Sequence, residues 1–311
     1  MARILVVGSM NMDIVTGVEH HPVPGETIQG NETRFFIGGK GANQAVAASR
    51  SGASAAMAGG LGADSFGIDI RRALAEDGIN LDYVADQPGM TGLALITVDG
   101  AGENNIILSS GANGRYGADE IDQLNLSGFD VILLQNEISA AVNERVLDKA
   151  AENHIPVFMN PAPIDGFDRS QLGKATFLIL NEVEAEVLSG IRIEGSSQAL
   201  EAGKKLLKEG IPHLIITLGS KGSIYMDQSG SQIAFPAFKV DAVDTTAAGD
   251  TFIGAFAAKY AAGAELRDCL RYATAASALA VSQPGAQSSI PREDEVQSFL
   301  AEESSRTIRM S

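Results

Sequence analysis

The chain is short of cysteine, of positive charge and of long apolar runs, and each shortage closes a class of function. A single cysteine, Cys269, permits no intramolecular disulfide, and no Cys or His spacing matches a zinc site. Lys and Arg number 23 against 39 Asp and Glu, a formal net charge of −16. A surface of that sign repels phosphate backbones, so no nucleic-acid partner is expected. No apolar run reaches the ~20 residues that cross a bilayer, so no membrane partner is expected. HExxH, GxSxG and paired-Cys motifs are missing, which leaves metalloprotease and serine-hydrolase chemistry without a starting point. From Met1 the chain runs directly into Arg3-Ile-Leu-Val-Val-Gly8, a first strand rather than a secretion signal, and the cytoplasm is the expected setting.

What is present reads as an ordinary folded protein. Over 311 residues, 45% are hydrophobic and 20% charged, enough for one large α/β domain or two smaller ones. Short β-branched runs recur at Ile4–Val7, Val131–Leu134, Val157–Met159, Phe177–Leu180 and Leu214–Thr217. Helical periodicity fits Gly41–Ser51, Phe66–Asp77, Ala140–Asn153, Glu182–Leu188, Gln198–Glu209, Asp250–Ala262 and Leu266–Val281. Strand and helix in alternation predict a parallel sheet covered by helices. Residues Ile14–Ile37 and Gly92–Ser109 break that rhythm: strand-like, Gly-punctuated and without helices, they predict antiparallel strands projecting as a small lid. No repeat, low-complexity tract or linker divides the chain, and the polar residues Glu302–Ser311 are expected to fray.

Several segments carry candidate chemistry. In Asp244-Thr-Thr-Ala-Ala-Gly-Asp250, the small residues Ala247, Ala248 and Gly249 let backbone N–H groups at a helix start approach an anion, with the helix dipole assisting. Asp250 at its edge is placed to take a proton from an attacking hydroxyl; a plain helix cap is the competing role. Gly38-Gly-Lys-Gly-Ala-Asn-Gln-Ala-Val-Ala-Ala48 offers close backbone approach with Lys40 and Asn43 as polar fingers. It lacks Walker A spacing and suits a polyol as well as a phosphate, or simply a Gly-rich helix entry. Gly8-Ser-Met-Asn-Met-Asp13 follows the first strand, where ligands gather in open α/β sheets, so Asn11 and Asp13 are either hydroxyl readers or turn residues. Asn181-Glu-Val-Glu184 follows a strand, with Asn181 and Glu184 facing a metal–phosphate complex or capping a helix. Thr217-Leu-Gly-Ser-Lys-Gly222 is a strand-to-Gly turn suited to nucleotide phosphates or to a β-turn.

In order and separation these segments resemble the ribokinase (phosphofructokinase B) family of carbohydrate kinases, its bacterial members foremost, from residue 3 to about residue 300. Gly38–Ala48 and Asp244–Asp250 correspond to the family's two signature regions. Gly102-Glu-Asn-Asn105, Gly111-Ala-Asn113, Asn181–Glu184 and Thr217–Gly222 agree as well. The resemblance implies an α/β fold, a ribokinase-like three-layer αβα sandwich with a small antiparallel β lid, as one domain over residues 1–311 with lid strands from about 14–37 and 92–109. It implies ATP-dependent phosphorylation of the primary 5-hydroxyl of D-ribose, with Mg²⁺ and a K⁺ activator, in a homodimer joined through lid strands. Asp250 would be the catalytic base beside an anion hole of Ala247, Ala248 and Gly249. Asn11, Asp13, Gly39, Lys40, Asn43 and Glu137 would contact the sugar. Asn181, Glu184, Thr217, Gly219, Ser220, Gly222 and Thr274 would line the ATP site together with Gly249. A monovalent cation would map to Asp244, Thr246, Ala280, Gln283, Gly285 and Ser289, where it would order the anion-hole loop.

One departure is local: Gln135-Asn-Glu-Ile-Ser139 replaces the family's aliphatic residue before the Glu and its Pro shortly after, at Asn136 and Ile138. The alternatives are a kinase for another small sugar or nucleoside, and a non-catalytic sugar-binding protein. A nicotinamide-dependent oxidoreductase is prompted by Gly60-Leu-Gly62, but Ser65 stands where the fingerprint needs its third Gly.

Overall fold

The computed structural model describes residues 1–310, with side chains through Ser305. The chain runs β1 (Arg3–Val7), β2 (Asn11–Gly17), β3 (Thr33–Gly38), α1 (Lys40–Arg50), β4 (Ser54–Gly62), α2 (Ser65–Glu76) and β5 (Asn80–Gln87). Next come β6 (Gly92–Val98), β7 (Asn104–Ser109), α3 (Ala118–Gln123), β8 (Val131–Gln135), α4 (Ala140–Glu152), β9 (Val157–Asn160) and β10 (Phe177–Leu180). The remainder is α5 (Glu182–Ser189), α6 (Ser196–Leu207), β11 (His213–Thr217), β12 (Ser223–Asp227), β13 (Gln232–Phe235), α7 (Ala248–Ala261), α8 (Leu266–Val281) and α9 (Glu293–Met310).

In β1 the four residues Ile4 to Val7 are all wholly buried. Successive side chains leave a strand on opposite faces. Ile4 and Val6 therefore join an apolar cluster with α1, α2, α7, α8 and α9, while Leu5 and Val7 join one with α3, α4, α5 and α6. Such a strand reads as a continuous apolar run because both faces of its sheet are covered. The sheet has nine strands in the order β13-β12-β11-β10-β9-β8-β1-β4-β5, parallel from β5 across to β11 and closed at the far edge by the antiparallel β11-β12-β13 turns. Three layers, helix–sheet–helix, follow as the sequence resemblance implied.

Every helix and strand anticipated from periodicity is present, with ends displaced by no more than two residues. The edge strands β5 and β13, their neighbour β12 and the helices α3 and α9 were not anticipated, and β4, beside β1 in the sheet, was not among the strands read from the alternating pattern. The tail expected to fray is helical to Met310, and Ser311 lies outside the described residues. Among the described residues, no helix is long and apolar enough to cross a membrane. Gly60-Leu-Gly62 is the C-terminal end of β4, with two residues between it and α2, and a Cβ on Gly62 would stand 2.5 Å from the Thr91 nitrogen. Those glycines serve close backbone packing, which removes the nicotinamide fingerprint.

The expected lid is a four-stranded sheet in the order β3-β2-β6-β7. It consists of two antiparallel pairs, β2–β3 and β6–β7, joined by parallel pairing of β2 with β6. Residues 18–32 connect β2 to β3 without strand structure. Beneath the lid, α1 and α7 cross at a contact set by Gly254: a Cβ there would stand 2.5 Å from the Gln44 carbonyl oxygen and 2.6 Å from the Ala47 Cβ. Gly254→Ala gains about 1 kcal/mol of helix propensity but overpacks this crossing by roughly 1–3 kcal/mol. The expected result is a net loss of stability, read as a lowered urea midpoint with unchanged slope; a raised midpoint would mean the helices can separate freely.

Candidate active site

The turns that leave the parallel strands at their C-terminal ends converge in one region, where ligands of open α/β sheets gather. After β1 the chain turns through Gly8-Ser9-Met10 into lid strand β2, and the buried Asn113 clasps that turn. Its Oδ1 accepts from the Met10 N–H at 3.0 Å, and its Nδ2 donates to the Met10 carbonyl at 3.1 Å and to Asn11 Oδ1 at 2.7 Å. Against the same turn lies the glycine-rich segment. Gly39 has φ of 90°, and a Cβ on it would stand 2.8 Å from the Asn11 nitrogen. A Cβ on Gly41 would stand 2.7 Å from the Ser9 nitrogen. These glycines bring the start of α1 onto the β1–β2 turn, so that Lys40 and Asn43 stand beside Asn11 and Asp13.

Glu137, just past β8, completes that corner. It accepts from the Lys40 backbone N–H at 3.1 Å and from the Ser9 hydroxyl. The departure at Asn136 is spent on the neighbouring loop: its amide donates to the carbonyls of Pro163 at 2.6 Å and Asp165 at 3.2 Å, while Ile138 is buried. A cavity of about 300 Å³ opens here, lined by Asn11, Asn113, Glu137 and Ser139 and by the lid residues Leu108 and Ser109.

Asp250 enters from the opposite side. The N-cap of α7 is Ala247, not Asp250, and Ala247 holds φ of 59°, a left-handed conformation that is unfavourable for a residue with a Cβ. Asp250 therefore sits within the first turn, 8% exposed, where the leading N–H groups of the helix have no partner inside it. Asn43 Nδ2 donates to Asp250 Oδ2 at 3.1 Å, and Gln44 Nε2 donates to Oδ1 at 3.0 Å. Asn181 and Glu184 do form a reciprocal cap on α5, with Glu184 accepting the Asn181 N–H at 2.9 Å and Asn181 accepting the Glu184 N–H at 2.8 Å. Glu184 nevertheless faces the same space as Lys40, Thr217, Gly249 and Asp250, a cavity of about 200 Å³.

That cavity shares Thr217, Thr245 and Gly249 with a longer cleft of about 450 Å³. One wall is the turn of Gly219, Ser220 and Gly222; Thr274 and Ser277 of α8 form the other. Gly222 holds φ of 99°, and a Cβ there would meet the Phe235 carbonyl oxygen at 2.0 Å. Phe238, Lys239 and Val240 add an apolar flank that sequence reasoning missed, because no motif marks an irregular segment brought in by the β12–β13 edge. Gln44, Gln135 and Asn113 were missed as individual residues, although all three fall within segments already singled out.

The proposed cation residues fall on two adjoining loops. Asp244 and Thr246 precede α7, while Ala280, Gln283, Gly285 and Ser289 end α8 and follow it. Val243 and Asp244 donate to the Val281 carbonyl at 2.7 and 3.2 Å, and Gly285 donates to Asp244 Oδ2 at 2.9 Å. Asp244 Oδ1 accepts from the Thr246 N–H and hydroxyl. Burial would raise the Asp244 carboxyl, but these bonds hold it below its ordinary range. From below, Arg50 grips the same loop, donating to the carbonyls of Gln287 and Ile290 at 2.7 Å while its fork pairs with Asp77.

Electrostatically the centre is three carboxyls, Asp250, Glu137 and Glu184, around the Lys40 ammonium, with Asp13 close to two of them. Burial, then Glu137 and Asp250, push Asp13 up to about 7. Burial also raises Glu184, although the Asn181 backbone and Lys40 oppose it. Burial pulls Lys40 down, yet Asp250, Glu137 and Glu184 outweigh it, and its ammonium stays above the ordinary value. A pocket rich in buried acceptors is built for a ligand that brings donors, as a polyol does.

A family model described as pfkB family carbohydrate kinase matches residues 1–293. The chain is 40% identical over 305 residues to a ribokinase of Schizosaccharomyces pombe, covering 94% of this chain and 95% of the relative. It is 33% identical over 302 residues to a deoxyribokinase of Salmonella typhi, covering 96% and 98%. Among solved structures, an Arabidopsis thaliana ribokinase complexed with ribose and ATP superposes with a TM-score of 0.89 at 33% identity, covering 96% of this chain and 99% of that one. With its fold and nearly its whole length in agreement, the chain belongs to the pfkB family of carbohydrate kinases and is a sugar kinase.

Proposed function

We propose that the protein is an ATP-dependent ribokinase that phosphorylates the 5-hydroxyl of D-ribose to give D-ribose 5-phosphate. The observation that carries this is the place of Asp250, in a polar cavity shared with Lys40 and Glu184 that meets a long cleft of nucleotide size at Gly249. In-line transfer joins the sugar oxygen to the γ-phosphorus as the bond to the β–γ bridging oxygen breaks, and the hydroxyl proton passes to Asp250. N–H groups of Ala247, Ala248 and Gly249 at the head of α7 stabilise the charge on the phosphoryl oxygens. Asn11, Asp13, Gly39, Lys40, Asn43 and Glu137 hold the sugar. Asn181, Glu184, Thr217, Gly219, Ser220, Gly222 and Thr274 hold ATP.

Among the described residues no cluster of three or more His, Cys, Asp or Glu forms a cage for a metal. That suits Mg²⁺ arriving on ATP with most of its waters, with Glu184 as the carboxylate beside it; when bound it would neutralise phosphate charge. For K⁺, Asp244 Oδ2 accepts a single hydrogen bond and keeps a lone pair, so it would join backbone carbonyls and hydroxyls of the two adjoining loops as a ligand. An ion there would order the turn that enters α7.

In lid strand β7 all six residues are exposed, Ile106, Ile107 and Leu108 among them, which supports a homodimer through lid strands. We place the enzyme in the cytoplasm, where its one thiol, the buried Cys269, needs no partner. A second reading, a 2-deoxyribose kinase, draws on the Salmonella relative. ATP consumption coupled to sugar phosphate formation, with D-ribose beside 2-deoxyribose, fructose and nucleosides and with or without K⁺, separates the two. Preference for ribose with K⁺ stimulation is the expected outcome.

Asp250→Asn is expected to lower turnover by roughly 10²- to 10⁴-fold while leaving the melting temperature close to that of the unaltered protein. Near-normal turnover would remove Asp250 from the chemistry. Sugar binding is expected to slow amide hydrogen exchange across residues 92–109, and unchanged exchange would mean that the lid does not close. Asp13 ionises near 3.8 in the unfolded chain and near 7 in the folded protein, which therefore binds the extra proton between those values. Stability is lost as pH rises through that window. Asp13→Asn should accordingly raise the melting temperature of the free enzyme at pH 8, with the gain shrinking as pH falls toward 4; a gain independent of pH would place its cause outside titration.

A further inference from the structure

Two amides hold Asp250, and they differ in what else they do. Asn43 Nδ2 reaches Oδ2, but under the proposed function Asn43 also meets the sugar, so its grip is shared with substrate. Gln44 Nε2 reaches Oδ1 at 3.0 Å, is wholly buried, and lines none of the three cavities described above. Its own Oε1 accepts from Gln135 Nε2 at 2.7 Å. Gln135, the last residue of β8, is also wholly buried, and its carbonyl accepts from Asn143 of α4 at 2.7 Å.

The polarity of this chain is dictated from one end. An ionised carboxylate only accepts, so Gln44 must turn its NH₂ to Asp250 and its oxygen to Gln135, and Gln135 must in turn present its NH₂. What is left over is Gln135 Oε1, buried without a hydrogen-bond partner among the described residues and packed where a Cβ on Gly8 would stand 1.9 Å away. Gly254 permits the approach, because any side chain there would drive the Gln44 backbone away from α7. The other charged groups around Asp250 are Asp13, Lys40, Glu137 and Glu184, and the charge interactions of Asp13, Lys40 and Glu184 all extend to it.

We infer that Gln44 is the positioning residue for the base Asp250, fixing the rotation of its carboxylate so that Oδ2 meets the attacking hydroxyl, and that Gln135 acts through Gln44. The inference rests on the reading of Asp250 as base. When the sugar hydroxyl occupies Oδ2 and draws Asn43 to itself, the Gln44 bond is the one that keeps the carboxylate from turning. A misplacement of about 1 Å at such a group costs on the order of 100-fold in rate.

The test is steady-state kinetics of Gln44→Met, Gln135→Met, the double variant and Asp250→Asn, with ATP and whichever sugar the unaltered protein phosphorylates fastest. Gln44→Met should lower kcat by about tenfold or more while KM for both substrates stays within about twofold. Gln135→Met should lower kcat less, and the double variant should be no slower than Gln44→Met, because the second glutamine works only through the first. If Gln44→Met keeps normal kcat, or raises KM with kcat unchanged, while Asp250→Asn is inactive, Gln44 is not positioning the base and the inference fails alone. Additive losses in the double variant would also overturn it, since independent packing defects add. Should Asp250→Asn itself turn over normally, the underlying assignment of the base fails and takes the inference with it. If Gln44→Met does not fold, Gln135→Met decides: lowered kcat at constant KM supports the relay, and normal kcat refutes it.

Discussion

The close crossing of α1 and α7 is the constraint on which the site depends. It exists because Gly254 has no side chain, and it brings Asn43 and Gln44 of one helix against Asp250 of the other. The two helices arrive from distant parts of the chain, α1 straight after the lid hairpin and α7 after the whole parallel sheet has been laid down. Their N-terminal ends meet at the C-terminal edge of that sheet, where Lys40 opens one helix and Ala247–Asp250 opens the other. The head of α7 carries N–H groups with no partner inside the helix and a partial positive charge, a favourable place for phosphate in a protein whose net charge is −16, whereas the first N–H groups of α1 are taken up by Glu137 and Ser9.

Around this crossing the polar groups are organised by what the helices leave unsatisfied. Glu184 and Asp250 share a polar cavity with the Lys40 ammonium, Glu137 and Asp13 stand near enough to interact with Asp250 or Lys40, and burial shows in the raised Asp13 and Glu184 carboxyls. A ligand presenting hydroxyl donors relieves that arrangement, whereas a hydrophobic ligand would leave the acceptors buried and unpaired, at about 1–3 kcal/mol each. The same logic separates the two clefts. The nucleotide-sized one is flanked by Phe238, Val240, Ala242 and Phe252, suited to a flat base, while the polar corner presents the hydrogen-bonding groups of Asn11, Asn113 and Glu137.

Physical continuity links the lid to the head of α7. Lid strand β3 reaches the turn after α8, where the Phe36 ring would lie 3.9 Å from a Cβ on Gly285. Gly285 in turn donates to Asp244, which begins the loop leading to Ala247. Arg50 closes the circuit by tying the far end of α1 to the same turn. The left-handed Ala247 is held between these fixed points, which explains how a residue with a Cβ stays in a conformation that glycine would take more readily.

Much of this was legible in the chain itself. Periodicity placed the central strands and seven helices because burial on both faces of a parallel strand, or on one face of a helix, leaves a pattern in consecutive residues. Asp244–Asp250 and Gly38–Ala48 announced themselves because close backbone approach demands small residues at fixed offsets. Strands β5, β12 and β13 did not: β5 and β13 alternate largely between exposed and half-buried residues, and β12, although buried over Ser223–Met226, begins and ends on polar residues. Tertiary structure alone decided the parallel joining of the two lid hairpins, the apolar flank at Phe238–Val240, and the glutamine chain from Gln135 to Asp250. Gln44 and Gln135 lie 91 residues apart, and their roles come from which carboxylate the folded chain sets before them. A side-chain amide has no periodic signature; only the acceptor at the end of its hydrogen-bond chain fixes which way it must face.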